Sequence, residues 1–319
     1  MTEQLRADGS LRHLLTLETL PRSNIERLLE QAQSFVRPLG AKPPMSQALA
    51  GATVANLFTE PSTRTRVSFE LAAKRLGAQV VNLEVQLSSR VKGESMLDTV
   101  YTLESLHVDA LVIRDAEAGV PGLVAAHVAP HVSVLSAGEA HVSHPTQGLL
   151  DALTVYQRKQ RFSGLAVAIV GDVRHSRVAR SAWHAFSTLG VRDLRLAAPH
   201  ALMPEGGEFA GCSRHTRLAS ALEGADVIMM LRIQKERISE ADLPDGARYF
   251  ETWGLTRERL ALARPDAVVM HPQPMNRGVE IASEVADGPQ SVIRDQVRNG
   301  VAVRMAVLAQ VLGTRSGGA

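Results

Sequence analysis

Short apolar runs alternate along this chain with segments of helical periodicity, and the first such pair surrounds an unusual polar string. The run from Ala52 to Phe58 indicates a buried strand, and residues 67–76 repeat their apolar positions at helical spacing. Between them, residues 59–66 read Thr-Glu-Pro-Ser-Thr-Arg-Thr-Arg. Pro61 ends the strand, and a Ser-Thr pair beginning at Ser62 stands where a helix N-cap is expected. The pattern predicts a strand, a polar turn and a helix, in that order.

The beginning of that helix is suited to binding an anion. The first backbone N–H groups of a helix lack intrahelical partners and lie at the positive end of its dipole. Hydroxyl groups and a guanidinium at the same end add donors that match phosphate oxygens. For a lone Ser-Thr-Arg, an ordinary capped helix with exposed arginines is the commoner explanation. The full string from Phe58 to Arg66 is much harder to attribute to chance.

The composition predicts a two-domain protein. The chain has 319 residues, about twice the roughly 150 of a typical domain. Hydrophobic residues make up 45% and charged residues 21%, so a large core can form and disorder is not expected. The 35 basic and 33 acidic residues leave a net charge of +2, which does not favour a nucleic-acid partner.

Cysteine content and hydropathy favour a soluble cytoplasmic protein. Cys212 is the only cysteine, so no intrachain disulfide can form, and a zinc cluster is not expected. A single cysteine fits a reducing compartment. Residues 1–10 lack the apolar core of a signal peptide, and no apolar run reaches the roughly 18 residues of a membrane span.

Further apolar runs predict further strands, several of which are followed by polar residues. The runs are residues 79–83, 109–114, 131–138, 164–171, 194–199, 225–231 and 267–270. Arg114, Arg232 and the pairs His144-Pro145 and His271-Pro272 stand at or beyond the ends of such runs. Ligands of open α/β sheets bind beyond the carboxyl ends of strands. On residue types alone, strand-end charges, a structural histidine, solvated loops and a rigid turn explain these positions as well.

The run at residues 164–171 opens a second α/β unit and invites a dinucleotide-binding interpretation. The residues that follow, Gly171 to Val178, contain one glycine, so the Gly-x-Gly-x-x-Gly pattern that admits a pyrophosphate is absent. A nicotinamide-dependent dehydrogenase is therefore a remote alternative. Arg177 stands in the loop or first helical turn after this strand.

These motifs together resemble the transcarbamylases, the family of aspartate and ornithine carbamoyltransferases. The string Ser62-Thr63-Arg64-Thr65-Arg66 resembles the family's carbamoyl-phosphate signature. The segment Ser88-Ser89-x-x-Lys92-Gly93-Glu94 is similar to a loop that, in the family, enters the neighbouring subunit's active site. Three further motifs match in the same order: His144-Pro-x-Gln147, Arg232-x-Gln234-x-Glu236-Arg237 and His271-Pro-x-Pro274. The matches extend from about residue 11 to residue 312.

The resemblance implies an α/β fold with two domains, each a mostly parallel sheet flanked by helices. It assigns carbamoyl-phosphate binding to residues 1–148 and aspartate binding to residues 149–295. Residues 296–319 would form a C-terminal helix that packs back on the first domain. The active site would lie in the cleft between the domains, whose closure would exclude water.

The resemblance also assigns roles to individual residues. Carbamoyl phosphate would contact Ser62, Thr63, Arg64, Thr65, Ser88, Lys92, Arg114, His144, Gln147, Pro272 and Gln273. The catalytic residues among these would be Arg64, Thr65, Lys92, Arg114, His144 and Gln147, which stabilise the developing oxyanion and orient the carbamoyl group. Aspartate would contact Lys92, Arg177, Arg232 and Gln234, since each guanidinium can pair with one carboxylate. No metal or organic cofactor is implied.

The aspartate-specific members are the most similar, which implies formation of N-carbamoyl-L-aspartate early in pyrimidine (UMP) biosynthesis. The shared-site loop implies a homotrimer, with a regulatory chain or a dihydroorotase as further partners in some relatives. Two positions depart from the family: Asp115 replaces a common histidine, and Gln273 replaces Leu, Gly or Ala. A transcarbamylase for another amine, such as ornithine, remains an alternative. So does an inactive scaffold, although such a protein would be expected to lack Arg64, Lys92 or His144.

Overall fold

The structure, a computed structural model, describes residues 4–84, 95–234 and 246–313. The chain divides into two compact units, one formed by residues 1–150 with 298–319 and the other by residues 151–297. Each unit is a parallel sheet with flanking helices, which confirms the predicted fold class.

The first unit contains a four-stranded sheet in the order β2-β1-β3-β4. Its elements are α1 (Arg22–Phe35), β1 (Thr53–Phe58), α2 (Thr63–Arg75), β2 (Gln79–Glu84), α3 (Met96–Ser105), β3 (Ala110–Asp115), α4 (Val120–His127) and β4 (Ser133–Glu139), and α5 (Pro145–Lys159) begins here. Strands β1, β3 and β4 are buried almost throughout. Burial on both faces explains why their sequences are continuous apolar runs rather than alternating patterns.

The second unit contains a five-stranded sheet in the order β7-β6-β5-β8-β9. Its elements are β5 (Ala166–Val170), α6 (Arg177–Leu189), β6 (Asp193–Ala197), β7 (Ser213–His215), α7 (Leu218–Leu222), β8 (Val227–Met230), α8 (Gly246–Trp253), α9 (Arg257–Leu260), β9 (Val268–Met270) and α10 (Ser283–Ala286). The edge strand β7 was not predicted, because its polar residues form no apolar run.

The last helix, α11 (Ile293–Leu312), begins in the second unit and ends in the first. It starts three residues earlier than the predicted residue 296, and Ile293 and Gln296 of its first turn are buried. In that turn, Gln296 Nε2 donates to Asp151 Oδ1 at 2.7 Å, and Gln296 Oε1 accepts from His271 N at 3.0 Å.

Beyond residue 298, α11 packs within the first unit, as predicted. Arg304 is 4% exposed, and its guanidinium lies 5.0 Å from the centroid of the Phe69 ring on α2. Arg304 Nη1 donates to the carbonyl of Gly300 at 2.8 Å, and a Cβ at Gly300 would lie only 2.7 Å from that nitrogen. Burial lowers the pKa of Arg304 to about 9, so the guanidinium stays charged at neutral pH. Near the end of the helix, Val311 O accepts from Arg6 Nη2 at 2.8 Å.

A buried histidine attaches the segment before α1 to β4. His13 Nδ1 accepts from Val134 N at 2.9 Å, and Leu14 N donates to Val134 O at 2.9 Å. Burial, together with the nearby charges of Arg12 and Arg6, lowers the pKa of His13 to about 4. His13 is therefore neutral in the folded protein at neutral pH.

Replacing His13 by asparagine should remove part of the acid sensitivity of folding. The native pKa lies below the unfolded value of about 6.5, so the stability from the neutral ring is complete above pH 6.5 and is lost as the pH falls towards 4. His13→Asn keeps an acceptor for Val134 N but cannot titrate. Between pH 7 and pH 4.5, urea unfolding should show that the unfolding free energy of the wild type falls by up to about 2.4 kcal/mol more than that of the variant. Equal decreases in unfolding free energy for the wild type and His13→Asn would contradict this prediction.

Candidate functional site

In the first unit, Arg114 lies against the turn that begins α2. Thr59 donates to the carbonyl of Arg114 through its N (3.0 Å) and its Oγ1 (3.2 Å). Arg114 Nη2 lies 3.2 Å from Glu60 Oε2, and Arg114 Nη1 donates to Ala137 O at 3.3 Å. The guanidinium is thus held where the carboxyl ends of β1, β3 and β4 meet.

Helix α2 begins as the sequence predicted, with Ser62 as the N-cap residue, but the Ser62 side chain makes no capping hydrogen bond. Thr65 is buried in the first turn, whereas Thr63 and Arg64 are exposed. The hydroxyl of an N-cap serine ordinarily accepts a hydrogen bond from the N2 or N3 backbone N–H. At this helix those N–H groups do not have the Ser62 hydroxyl as a partner.

His144 and Gln147 stand at the beginning of α5, directly after β4. Both side chains are buried, and Gln147 N donates to His144 O at 2.9 Å. Pro145 is the first residue of the helix, as predicted. Because β4 pairs with β3 in parallel, His144 follows the strand next to the one that carries Arg114.

The residue that departs from the family after Arg114 is a buried carboxylate. Asp115 Oδ1 accepts from Glu117 N at 2.9 Å, and Asp115 O accepts from Ala140 N at 2.9 Å. The pairing of β3 with β4 shifts register between Ile113 and Asp115. Asp115 therefore shapes the turn from β3 into α4.

In the second unit, Arg177 is the first residue of α6 and is buried. Ser176 is the N-cap residue, and its Oγ accepts from Ala179 N at 3.1 Å. The hydroxyl cap fixes the start of the helix and therefore the origin of the Arg177 side chain.

A buried carboxylate joins the loop after β5 to the loop after β8. Asp172 is 0% exposed; its Oδ2 accepts from Gln234 N at 3.3 Å, and its Oδ1 accepts from His175 N at 3.2 Å. Gln234 Nε2 in turn donates to His175 O at 3.0 Å. Gly171 has a φ of +120°, and a Cβ there would lie 3.0 Å from Leu231 O. The single glycine noticed in the sequence thus allows these two loops to approach.

A second buried carboxylate joins the loop after β8 to the loop after β9. Glu280 Oε1 accepts from Ile233 N at 3.0 Å and from Asn276 Nδ2 at 2.7 Å, and Glu280 Oε2 accepts from Asn276 N at 2.7 Å. Burial raises the pKa of Glu280, an effect that these hydrogen bonds oppose. Half-buried Pro272 and Gln273 lie in the same loop.

The structure thus places each predicted residue that it describes at the carboxyl edge of a sheet. Ser62, Thr63, Arg64, Thr65, Arg114, His144 and Gln147 belong to the first unit, and Arg177, Arg232, Gln234, Pro272 and Gln273 to the second. Ser88 and Lys92 lie outside the described residues, as does the end of the Arg232 motif. Sequence reasoning missed Asp172 and Glu280. Asp172 follows a buried strand and could have been noticed, whereas Glu280 lies ten residues beyond β9 and carries no local signal.

Within the described ranges, no helix is both long and apolar enough to cross a membrane. In the same part of the chain, no three His, Cys, Asp or Glu side chains are grouped so that they could hold a metal ion.

Two family models match consecutive parts of the chain. The model described as aspartate/ornithine carbamoyltransferase, carbamoyl-P binding domain, matches residues 12–157. The model described as aspartate/ornithine carbamoyltransferase, Asp/Orn binding domain, matches residues 163–311.

Solved structures with specificity for either amino acid are similar over nearly the full length. Aspartate transcarbamoylase from Trypanosoma cruzi, in complex with carbamoyl aspartate and phosphate, is 31% identical with a TM-score of 0.86; the match covers 98% of this chain and 100% of that chain. Ornithine carbamoyltransferase from Pyrococcus furiosus is also 31% identical, with a TM-score of 0.82 and coverage of 95% and 97%. The enzyme from Thermus thermophilus, also an ornithine carbamoyltransferase, is 27% identical with a TM-score of 0.82, covering 94% and 99%. Overall identity therefore does not distinguish the two substrates.

The two N-cap serines should respond differently to replacement by alanine. Ser176→Ala removes a capping hydrogen bond and should cost about 1 kcal/mol of unfolding free energy. Ser62→Ala removes no such bond and should cost less than about 0.5 kcal/mol. Urea unfolding followed by circular dichroism compares the two variants. A loss at Ser62 as large as that at Ser176 would show that the Ser62 hydroxyl does cap α2.

Proposed function

The chain belongs to the aspartate/ornithine carbamoyltransferase family, and from that membership we propose that it transfers the carbamoyl group of carbamoyl phosphate to L-aspartate. The products are N-carbamoyl-L-aspartate and phosphate, an early step of pyrimidine biosynthesis. The observation that carries the choice of aspartate is the arginine pair of the second unit, Arg177 and Arg232. Two guanidinium groups match the two carboxylates of aspartate, each of which can be bound bidentately.

The acidic groups near these arginines support the same choice. An ornithine side chain ends in an ammonium, which would need a carboxylate partner. Asp172 and Glu280, at this edge of the sheet, are both 0% exposed and already accept backbone N–H groups. Turning either one towards a substrate would leave buried N–H groups unpaired, at a cost of about 1–3 kcal/mol each.

The phosphate of carbamoyl phosphate is assigned to the start of α2. Ser62, Thr63, Arg64 and Thr65 supply hydroxyl, guanidinium and backbone donors there, and the Ser62 hydroxyl is not used as a helix cap. Lys92 and Ser88 are assigned to the same ligand, donated by a neighbouring subunit of a homotrimer. The contacts of Arg114 with Glu60 and Ala137 orient its guanidinium before the substrate arrives, which lowers the cost of reorganisation.

The proposed reaction is a direct displacement. The aspartate amine attacks the carbonyl carbon, and the bond from that carbon to the phosphate oxygen breaks. Thr65, Arg114 and His144 stabilise the negative charge that develops on the carbonyl oxygen. Gln147 and the backbone carbonyls of Pro272 and Gln273 orient the carbamoyl NH2, and the departing phosphate takes the proton from the amine. Rate enhancement then comes from positioning and electrostatics, without a cofactor.

Carbamoyl transfer by the purified chain should occur with L-aspartate and not with L-ornithine. In Arg232→Ala, kcat/KM for aspartate should fall by at least about 100-fold, because a charged pair with the substrate is lost. Arg277→Ala is the matched control: this arginine lies in the same unit but pairs with Asp287 at the surface, and its removal should change kcat/KM by less than about 2-fold.

Other outcomes would separate the parts of the proposal. Turnover of ornithine alone would overturn the amino-acid assignment and leave the carbamoyl-phosphate assignment standing. Turnover of neither would favour the scaffold alternative. In that case, calorimetric titration of carbamoyl phosphate into the wild type and Arg64→Ala would show whether the first unit still binds this ligand.

A further inference from the structure

We propose that Glu280 is a positioning residue for the amino-acid substrate, acting through the backbone between Arg232 and Gln234. The inference rests on the proposed function, because it concerns how the residues assigned to aspartate are held. Glu280 lies outside the motifs that identify the family in this sequence, and it does not contact the substrate in the proposed mechanism.

The hydrogen bonds of Glu280 and Asp172 fall on consecutive peptide groups. The N–H of Ile233, which belongs to the peptide plane that joins Arg232 to Ile233, donates to Glu280 Oε1 at 3.0 Å. The N–H of Gln234, in the next plane, donates to Asp172 Oδ2 at 3.3 Å. A peptide group is planar, so a bond to its N–H also orients the carbonyl of the preceding residue. The direction in which the Arg232 and Gln234 side chains leave the backbone is thereby restricted.

The side chain between them is also held, because Ile233 is 1% exposed. With the Ile233 side chain buried and both flanking N–H groups bonded to buried carboxylates, the segment has little freedom to rotate. A guanidinium on a restrained backbone loses less conformational entropy when it binds a carboxylate. We therefore expect Glu280 to affect the affinity for the amino acid more than the affinity for carbamoyl phosphate.

Glu280 also acts on the loop that carries Pro272 and Gln273. His271 Nδ1 accepts from Gln273 N at 2.9 Å, which places the proton of a neutral ring on Nε2. That nitrogen lies 3.9 Å from Glu280 Oε2, so the carboxylate favours this tautomer. One carboxylate thus supports the loops after both β8 and β9.

The groups around Glu280 require an acceptor with no donor of its own. Ile233 N, Asn276 N and Asn276 Nδ2 all donate to it, and His271 presents an N–H towards it. Glu280→Ala removes all of these acceptors, including the one for Ile233 N. In Glu280→Gln, one oxygen becomes an NH2 group, which faces Ile233 N and Asn276 Nδ2 at the Oε1 position or Asn276 N at the Oε2 position. The substitution keeps the size of the side chain but loses at least one hydrogen bond.

Tyr249 provides a matched control in the same buried region. Its hydroxyl makes no hydrogen bond to the described residues, and a Cβ at Gly171 would lie 3.3 Å from it. Burial and the charges of Glu280 and Asp172 raise the pKa of Tyr249, so its hydroxyl stays protonated. Tyr249→Phe therefore perturbs the same neighbourhood without removing a hydrogen bond.

The experiment compares steady-state kinetics of the full-length wild type, Glu280→Gln, Tyr249→Phe, Arg232→Ala and the double variant Glu280→Gln/Arg232→Ala. In Glu280→Gln, KM for aspartate should rise about 10-fold, and KM for carbamoyl phosphate should rise by a smaller factor, because Glu280 reaches the loop of Pro272 and Gln273 only through His271. Tyr249→Phe should change neither by more than about 2-fold. Because Glu280 acts largely through Arg232, the effect of the double variant on KM for aspartate should be clearly smaller than the product of the two separate effects.

Independent, multiplying effects of the two substitutions would overturn the proposal, as would equal changes in KM for both substrates. Amide hydrogen exchange at Ile233 provides a readout that does not need turnover. Exchange there should be faster in Glu280→Ala, which lacks the acceptor, than in the wild type, and unchanged in Tyr249→Phe. If the protein transfers no carbamoyl group to aspartate, the proposed function fails while this backbone test still stands. Unchanged exchange at Ile233 in Glu280→Ala would refute the positioning role.

Discussion

The parallel pairing of strands is the constraint on which the arrangement of both units depends. Neighbouring parallel strands end at the same edge of a sheet, so the segments that follow β1, β3 and β4 converge, as do those that follow β5, β8 and β9. These segments leave the sheet from buried strands, and their first backbone N–H groups need acceptors other than water. In the loop after β8, the acceptors for Gln234 N and Ile233 N are carboxylates, those of Asp172 and Glu280. Because these buried N–H groups need acceptors, acidic side chains lie beside residues that we assign to the binding of an acidic substrate.

The carboxylates at these edges have different kinds of partner. In the first unit, Glu60 is partly exposed and pairs with Arg114 at 3.2 Å, whereas Asp115 is buried and accepts from Glu117 N. Neither side chain of the Glu60–Arg114 ion pair is fully buried, and Arg114 can exchange Glu60 for a ligand without leaving a backbone N–H unpaired. In the second unit, Asp172 and Glu280 are fully buried. They accept from backbone N–H groups and from the side chains of His175 and Asn276, respectively. Breaking those bonds would leave buried groups unpaired, so these carboxylates serve as fixed supports rather than as exchangeable partners.

The sequence was most informative where burial on both faces produced continuous apolar runs, as at β1, β3, β5 and β8. It was least informative where tertiary contacts replace local pattern. Strand β7 has three polar residues and is recognised only by its pairing with β6. The start of α11 was placed too late, because the contacts of Gln296 with Asp151 and His271 are made across more than twenty residues. Among the polar residues of the loops, the arginines were identified by motif. The role of Glu280 could not be predicted in that way, because its partner, the Ile233 N–H, lies 47 positions earlier.

The buried carboxylates Asp172 and Glu280 bear on amino-acid specificity as much as on stability. A site for a dicarboxylate must present cations while keeping nearby carboxylates away from the ligand, since an exposed like charge would repel it. Asp172 and Glu280 satisfy both requirements: they are close in sequence or space to Arg177 and Arg232, yet their oxygens are occupied by N–H donors. The energetic cost of releasing either carboxylate then works against a cationic side chain such as that of ornithine. On this argument, discrimination between the two amino acids lies partly in groups that never touch the substrate, and comparing substrate-contacting residues alone would miss it.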